Sequence, residues 1–415
     1  MKFLQVSNLE NARAKLLDVA SAWLPVQRVL PISFASGEVL ASDMYSSEDV
    51  PHFRRSTVDG YAVMSKDTAA AGESLPSFLK VVGNIEMGFS ADFAISSGEC
   101  AEIPTGGMLP DGADAVVMVE YCETFGKEEV AVYKSAAFGS NVVQVGDDCK
   151  SGNLLLPIGR RLTPLDIGIL ATAGIKEVPV FAPPSICFIS TGDELVSHDC
   201  SQLVAGRIRE SNNLTLSVLA AKLGFSVLNT VILPDDEMAI KKAALEAMDS
   251  CDIVAISGGS SQGKKDLTAA IIDGIARPGV FIHGIAIKPG KPTILGSDGK
   301  SKTILAGLPG HPISAVTVFE LLFGWIWKRL TKSHEGFPIP AKLTQSAPGS
   351  EGRLTVYPCK LGFENGTYMA EPIFAKSGLL ANLTAAHGYF LIDRNTEGLK
   401  KGADVLVWLF YYDTS

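Results

Sequence analysis

The sequence predicts a multidomain protein of the α/β plus β class, and three observations carry that prediction. Between Pro183 and Leu330, short apolar runs alternate with stretches of helical spacing, the sign of a parallel, doubly wound sheet with helices on both faces. Residues 49–148 and 340–415 carry short strand-like runs cut by glycines, which read as β-rich modules. The chain has 415 residues, and at roughly 150 residues per domain that gives about three domains.

In chain order, Ser7-x-x-Glu10 ahead of an apolar-periodic stretch reads as a capping box, and the first 45 or so residues read as helical. Within the first β-rich module, residues 115–119 and 130–133 alternate as strands do. Residues 163–174 return to helical character. The α/β region opens with a buried strand at 185–190. Ser211-Asn212-Asn213 then supplies helix-capping types before Leu216, Leu219, Ala220 and Leu223 at helical spacing, with Gly224 as the stop. A strand at 225–233, a helix at 236–248 and a strand at 252–257 follow, the last running into Gly258-Gly259. A helix at about 267–275, strands at 280–286 and 303–306, and a long helix after Pro312 complete the region. Strand-like runs at 354–357, 389–392 and 404–410 fill the last module. No repeat of 20–50 residues is present.

Composition narrows the function classes. Apolar residues make up 47% and charged residues 20%, which suits a globular chain and not a disordered one. Net charge is −9 and the isoelectric point about 5.3, against general nucleic-acid or acidic-membrane binding. Residues 1–10 hold no apolar core of a leader, and the most apolar run, 315–330, is interrupted by Glu320 and too short to span a bilayer. The seven cysteines are scattered, with no C-x-x-C pair, so neither a disulfide framework nor a zinc ribbon is expected, and a reducing cytoplasm fits. The histidines form no H-E-x-x-H or H-x₃-H pair, which speaks against a zinc enzyme.

In an open parallel sheet the loops leaving the C-terminal strand ends share one edge, and ligands bind there. Here those loops carry Ser190-Thr191-Gly192-Asp193-Glu194, Pro234-Asp235-Asp236, residues 258–266 (Gly258-Gly259-Ser260-Ser261-Gln262-Gly263-Lys264-Lys265-Asp266) and Leu308-Pro309-Gly310-His311-Pro312. Lys288-Pro289-Gly290-Lys291-Pro292 follows the fourth strand. Glycines let backbone N–H groups approach an anion, and lysines supply cationic donors. Carboxylates beside phosphate call for a hard cation between them, commonly Mg²⁺. The expected ligand is therefore phosphorylated and accompanied by Mg²⁺. Read singly, each glycine is a turn and each Asp a helix cap; the concentration on one edge is what argues for a site. Gly258-x₄-Gly263-Lys264 has the glycines and lysine of a P-loop, but Lys265 stands where Ser or Thr must meet Mg²⁺, and the segment follows the third strand rather than the first. Asp59-Gly60-Tyr61 and Gly146-Asp147-Asp148 read on physical grounds as turns into strands.

Together the motifs resemble a known family. Residues 56–63 (Ser-Thr-Val-Asp-Gly-Tyr-Ala-Val) are similar to S-x-M-D-G-Y-A, and Pro104-Thr105-Gly106-Gly107 with residues 110–117 and Glu120 to TGA…P-x-GADAVV…E. Ser190-Thr191-Gly192-Asp193-Glu194-Leu195, the K-P-G-K-P of 288–292, and residues 308–315 against L-P-G-N-P-V-S-A complete the set. These are marks of the molybdopterin molybdenumtransferases, the MoeA and gephyrin E-domain family. Residues 377–402 resemble its C-terminal β domain.

The resemblance implies a dimerising, four-part subunit: a discontinuous helical part at 1–48 and 149–182, an inserted β-rich module at 49–148, a three-layer α/β molybdopterin-binding-like domain at 183–333 and a C-terminal β domain at 338–415. It implies Mg²⁺-dependent insertion of molybdate into adenylylated molybdopterin with release of AMP, at a site shared between two subunits. The residues carried over are Asp59, Asp148, Glu194, Asp235 and Asp266 for catalysis, with Asp59, Glu194 and Asp266 toward the metal. Thr105, Gly258, Gly259, Ser260, Lys264, Lys288, Lys291, Pro309, Pro312 and Ser314 carry over toward the substrates.

The chain departs from the family pattern at several places. Ser261-Gln262-Gly263-Lys264-Lys265-Asp266 replaces S-V-G-E-x-D, and no basic residue remains between Asn141 and Asp148. His311 replaces Asn, Val58 replaces Met, and Glu210 replaces Asp. A non-catalytic molybdopterin-binding paralogue, or a transferase preferring another oxyanion such as tungstate, is the alternative reading.

Overall fold

The computed structural model describes residues 6–126, 128–258, 265–334, 336–374 and 380–410. The sequence-predicted site residues Gly259, Ser260 and Lys264 lie outside the described residues, as do Ser377, Gly378 and Leu379.

The α/β part is a six-stranded sheet in the order Ser226–Leu233, Ser185–Thr191, Ile253–Gly258, Thr303–Leu308, Ile294–Asp298, Pro278–His283. The first four strands run parallel. The expectation of an all-parallel sheet fails at Ile294–Asp298, which pairs antiparallel with both of its neighbours. That strand was hidden because its second half, Gly296-Ser297-Asp298, has the composition of a turn. The strand expected at 280–286 ends at His283, and a separate short strand, Ile287–Lys288, follows.

Helices cover both faces. Asn212–Leu223 and the long helical segment opening at Pro312 pack on one face with the N-terminal helix, around Phe188, Leu216, Leu223, Phe319 and Phe323. Glu237–Met248 and Lys265–Ile275 pack on the other, around Ile189, Ile240, Val254, Ile272 and Leu305. Residues 186–189 alternate between the two cores, as the period-2 geometry of a strand sandwiched between layers requires.

The N-terminal helix runs over Leu9–Ser21 only. Its cap is Asn8, whose side chain accepts from Asn11 N at 2.7 Å, not Ser7 as the capping-box reading had it. Beyond it the first 45 residues are not helical: Gln27–Pro31 pairs with Glu177–Phe181, and Met44–Tyr45 with Leu154–Leu156. Pro25 and Pro31 bracket the β-branched Val26 and Val29, and such a stretch favours extended backbone. Pro164–Thr172 is helical, with a capping box between Thr163 and Asp166.

The inserted module holds a six-stranded sheet ordered Ala115–Met118, Gly60–Val63, Glu99–Ile103, Ser77–Asn84, Glu129–Val132, Cys122–Phe125. In the last module, Leu354–Glu364 pairs with both Thr367–Pro372 and Gly388–Ile392, closing the strands into a barrel. Its sheet extends into the α/β part, because Ile287–Lys288 lies parallel to Leu354 and Thr355.

Candidate active site

At the sheet edge the strand ends deliver their loops together. Gly192 N donates to Leu233 O at 3.1 Å, and Asp235 N donates to Asp193 Oδ1 at 3.1 Å, so the loops after the first two strands are tied to each other. Glu194 is exposed and folds back on its own turn: a Cβ at Gly192 would stand 2.7 Å from its Oε2. Arg207 Nη1 donates to the Asp193 carbonyl and pins the same loop.

Glu210, 5% exposed, accepts from Ser190 Oγ and from Asn213 N, each at 2.8 Å. It serves the start of helix Asn212–Leu223 in place of Ser211, whose side chain makes no cap bond. Asn212 Nδ2 donates to Ser257 Oγ at 3.0 Å and to Gly310 O at 2.8 Å, tying the end of strand Ile253–Gly258 to the loop after strand Thr303–Leu308. Gly258 sits against Thr191, where a Cβ would run into the Thr191 carbonyl and hydroxyl. Sequence reasoning singled out Asn212 and Glu210 only as a helix opening and a departure, because their partners are far away in sequence.

The K-P-G-K-P loop leaves the short strand Ile287–Lys288 and makes one wall of a cavity of ≈ 560 Å³. Lys288, Lys291, Ser314, Arg353, Thr355 and Tyr357 are among its lining residues. No Asp or Glu among the described residues lines it. Among the described residues neither lysine ammonium nor the Arg353 guanidinium has a hydrogen-bond or ion-pair partner. Thr355 is 2% exposed and its hydroxyl is unpartnered, which costs free energy unless a bound group supplies the missing bond. Gly290 is required by packing, since a Cβ there would stand 2.6 Å from Val318 Cγ2. Arg353 and Thr355 were missed in sequence. The run at 354–357 reads as a strand, and nothing local says which loop of another domain it will lie beside.

A second cavity, of ≈ 170 Å³, lies next to the first and shares Pro292 and Ser314 with it. Gly258, Pro309, Gly310 and His311 are among its walls. Pro309 is buried, and Pro312 opens the helix Pro312–Phe319 at its first position, where a missing N–H is harmless.

The β-module residues stand apart from these cavities. Asp59 Oδ1 accepts from Thr105 N at 2.6 Å, and this backbone donor holds the exposed carboxyl below the usual carboxylate range. Asp148 is exposed in the turn after Gly146, with its N donating to Val50 O at 3.0 Å. Val142–Val143 pairs with Arg55–Ser56 and ties the Asp59 and Asp148 segments together. That pairing puts Arg55 opposite Val143, so a cation returns to the stretch that lacks the family's arginine. Neither sheet-edge cavity is lined by Asp59, Asp148, Glu194 or Asp235. Among the described residues no three Asp, Glu, His or Cys side chains converge as a metal cluster. Asp266 lies in helix Lys265–Ile275, and its side chain is outside the described set.

Three family models match along the chain: the MoeA N-terminal region (domains I and II) over residues 7–174, a probable molybdopterin binding domain over 187–328, and the MoeA C-terminal region (domain IV) over 340–410. A putative molybdopterin biosynthesis protein from Methanocaldococcus jannaschii is 32% identical over 96% of this chain and 93% of its own. The molybdopterin molybdenumtransferase of Haemophilus influenzae is 34% identical over 76% of this chain and 75% of its own. Among solved structures, a molybdopterin biosynthesis MoeA protein from Pyrococcus horikoshii OT3 superposes with a TM-score of 0.82 at 30% identity, covering 98% of this chain and 100% of that one. Ordered matches from residue 7 to residue 410, on a fold that superposes end to end, mean that the chain belongs to the MoeA family of molybdopterin molybdenumtransferases.

Proposed function

We propose that the protein is a molybdopterin molybdenumtransferase that inserts molybdate into adenylylated molybdopterin and releases AMP. One observation carries the reading: at the ligand-binding edge of the sheet, a cavity of ≈ 560 Å³ is lined by Lys288, Lys291, Arg353 and Ser314 and, among the described residues, by no carboxylate. Such a wall suits a small oxyanion, since two mobile ammonium donors and a planar guanidinium can surround it without a competing negative charge. The volume falls in the range of ordinary ligand pockets, so part of a larger substrate fits beside the oxyanion.

The carboxylates belong to the other reactant. Glu194 and Asp235 stand on the loops after the first two strands of the α/β part in chain order, Asp266 on the helix after the third strand, and Asp59 and Asp148 on the inserted module. Their oxygens suit Mg²⁺, a hard cation that completes its shell with water and substrate phosphate, so three converging protein ligands are not required. Glu194, Asp266 and Asp59 would hold it, Asp59 from the partner subunit of a homodimer. When bound, Mg²⁺ offsets pyrophosphate charge and polarises the leaving phosphate. The chain's own residues do the positioning: Thr105 N–H keeps Asp59 ionised and oriented, and the Asp193–Asp235 contact fixes the loop that presents Glu194. Seven cysteines without a disulfide support a reducing compartment such as the cytoplasm.

The test is AMP release by the purified protein given adenylylated molybdopterin, molybdate and Mg²⁺. Asp59→Asn and Glu194→Gln keep shape and lose charge, and each should cut the rate by on the order of 10²-fold, the scale of losing a main electrostatic contact. Wild-type protein that binds the substrate but releases no AMP would favour the binding-paralogue reading. Faster turnover with tungstate would move the oxyanion assignment.

A further inference from the structure

Glu320 is a buried acid to which the reading above gives no task. It opens the π-helical turn Glu320–Gly324, directly after helix Pro312–Phe319. Its Oε2 has no hydrogen-bond partner among the described residues. A carboxyl in that state costs free energy that an apolar side chain of the same size would not. It lines a cavity of ≈ 120 Å³ with Arg13, Trp325, Lys328, Tyr389 and Trp408. Three parts of the chain meet there: the N-terminal helix, the α/β part and the last domain.

The charged and titratable groups around Glu320 come from all three parts. Arg13 Nε donates to Leu321 O at 2.8 Å, inside the π-helical turn, and its guanidinium lies 4.9 Å from the centre of the Trp325 ring. Arg329 lies over the same ring at 5.8 Å. Burial holds the Glu320 carboxyl up at about 7, against the pull of Lys328 in the last turn of the helical segment. On the last domain, burial and then the nearby Glu320 push the Tyr389 phenol up.

Two of the elements that meet at Glu320 also wall the oxyanion cavity. The helical segment supplies Ser314 to that wall and sets Val318, two residues before Glu320, against Gly290 of the K-P-G-K-P loop. In the last domain, Tyr389 pairs with Pro358 and Leu391 with Val356 on strand Leu354–Glu364. That strand follows Arg353 and sets Thr355 beside Lys288. Leu354, Val356, Tyr389 and Leu391 pack against the core of the α/β part. This seam is what keeps Arg353 in the same cavity as the two lysines.

We propose that Glu320 is a proton-sensitive positioning residue: with its carboxyl neutral the last domain stays seated on the α/β part and Arg353 stays in the oxyanion cavity, and with its carboxyl ionised the seam loosens and oxyanion affinity falls. The proposal rests on the oxyanion reading of that cavity and adds a control to it. Its direction follows from linkage. The seated arrangement binds the proton more tightly than a hydrated carboxyl does. Losing that proton to solvent must therefore disfavour the seated arrangement by the same factor.

Calorimetric titration of the full chain with molybdate, at about pH 6 and about pH 8.5, tests this in wild type and Glu320→Gln. Wild-type affinity should fall about 5-fold or more between the two, the lower end of ordinary coupling between sites, while that of Glu320→Gln changes less than about 2-fold. Tryptophan fluorescence needs no substrate and reports the seam through Trp325 and Trp408. It should step near pH 7 in wild type and not in Glu320→Gln. Lys328→Met should move both transitions to higher pH, because it removes the charge that favours ionisation. A role in packing alone would not move a midpoint. Should Glu320→Gln melt early, wild type and Lys328→Met still decide. Equal wild-type affinity at both pH values, an equal fall in Glu320→Gln, or a midpoint that Lys328→Met leaves in place overturns the proposal. If Lys288→Ala leaves molybdate binding intact, the oxyanion reading fails instead, and the fluorescence step still judges the seam.

Discussion

At Gly192 the lack of a side chain is what lets the Glu194 carboxylate fold back over its own turn. Gly192→Ala would meet that carboxylate, the far end of a flexible side chain, so the fold should survive while Glu194 is pushed aside. The expected outcome is a melting temperature within a degree or so of wild type and AMP release reduced about 10-fold or more, through Glu194 alone; the loss should not add to that of Glu194→Gln in the double variant. Lys288→Ala should weaken molybdate affinity about 10-fold or more without destabilising the chain, because an exposed cation adds little to the core. If melting drops and the remaining folded protein binds as before, Lys288 is structural. The lysines, Glu194 and Ser314 were legible in sequence because each sits in a short motif after a strand. Arg353 was not: it matters through the pairing of Lys288 with Thr355, a contact between positions that no local pattern links.

The long helical segment after Pro312 is an element whose inner detail escaped the sequence. Its helical spacing was readable, but its middle, Glu320–Gly324, is a π-helical turn. Such turns often mark functional sites. Here it carries Glu320, 9% exposed, with Oε2 unpartnered, into a cavity of ≈ 120 Å³ shared with Arg13 and Trp325 and with Tyr389 and Trp408 of the last domain. Burial pushes the Glu320 carboxyl up to about 7, with the Lys328 ammonium pulling the other way. The folded state therefore holds the proton more tightly than the unfolded chain does. The stability this contributes is complete below the unfolded value of 4.5 and is lost as pH rises through about 7. Wild type should lose on the order of 1 kcal/mol between about pH 6 and about pH 8.5 in urea unfolding, and Glu320→Gln should show no such slope. An equal slope in both proteins would assign the pH dependence to other groups. Helix Asn212–Leu223, by contrast, was legible to both ends, since Gly224 takes φ 97° and stops it.

On the scale of the whole molecule, the order of modules was readable because strand and helix periodicities change abruptly along the chain; which module faces which was not. Asp59 and Asp148 line neither sheet-edge cavity, so the proposed site needs a second subunit to bring them in. Light scattering should give twice the chain mass of 43.9 kDa. A mixture of Asp59→Asn and Glu194→Gln chains, allowed to exchange subunits, should regain AMP release, because each mixed dimer rebuilds one intact site. Failure to regain it, with exchange confirmed, would mean that both carboxylates serve the same chain. The approach to Lys288 is also held from both ends of the sequence: Ser7 N donates to Gly284 O at 3.0 Å, Ala286 N to Ser7 O at 2.7 Å, and Leu354 N to Ala286 O at 2.9 Å. Recombination with a relative is thereby restricted. A chimera that imports a foreign last domain hands this loop a strand it did not evolve beside, and one that imports a foreign opening segment removes its other brace. Viable exchanges should carry residues 7, 284–292 and 353–358 as one inherited set.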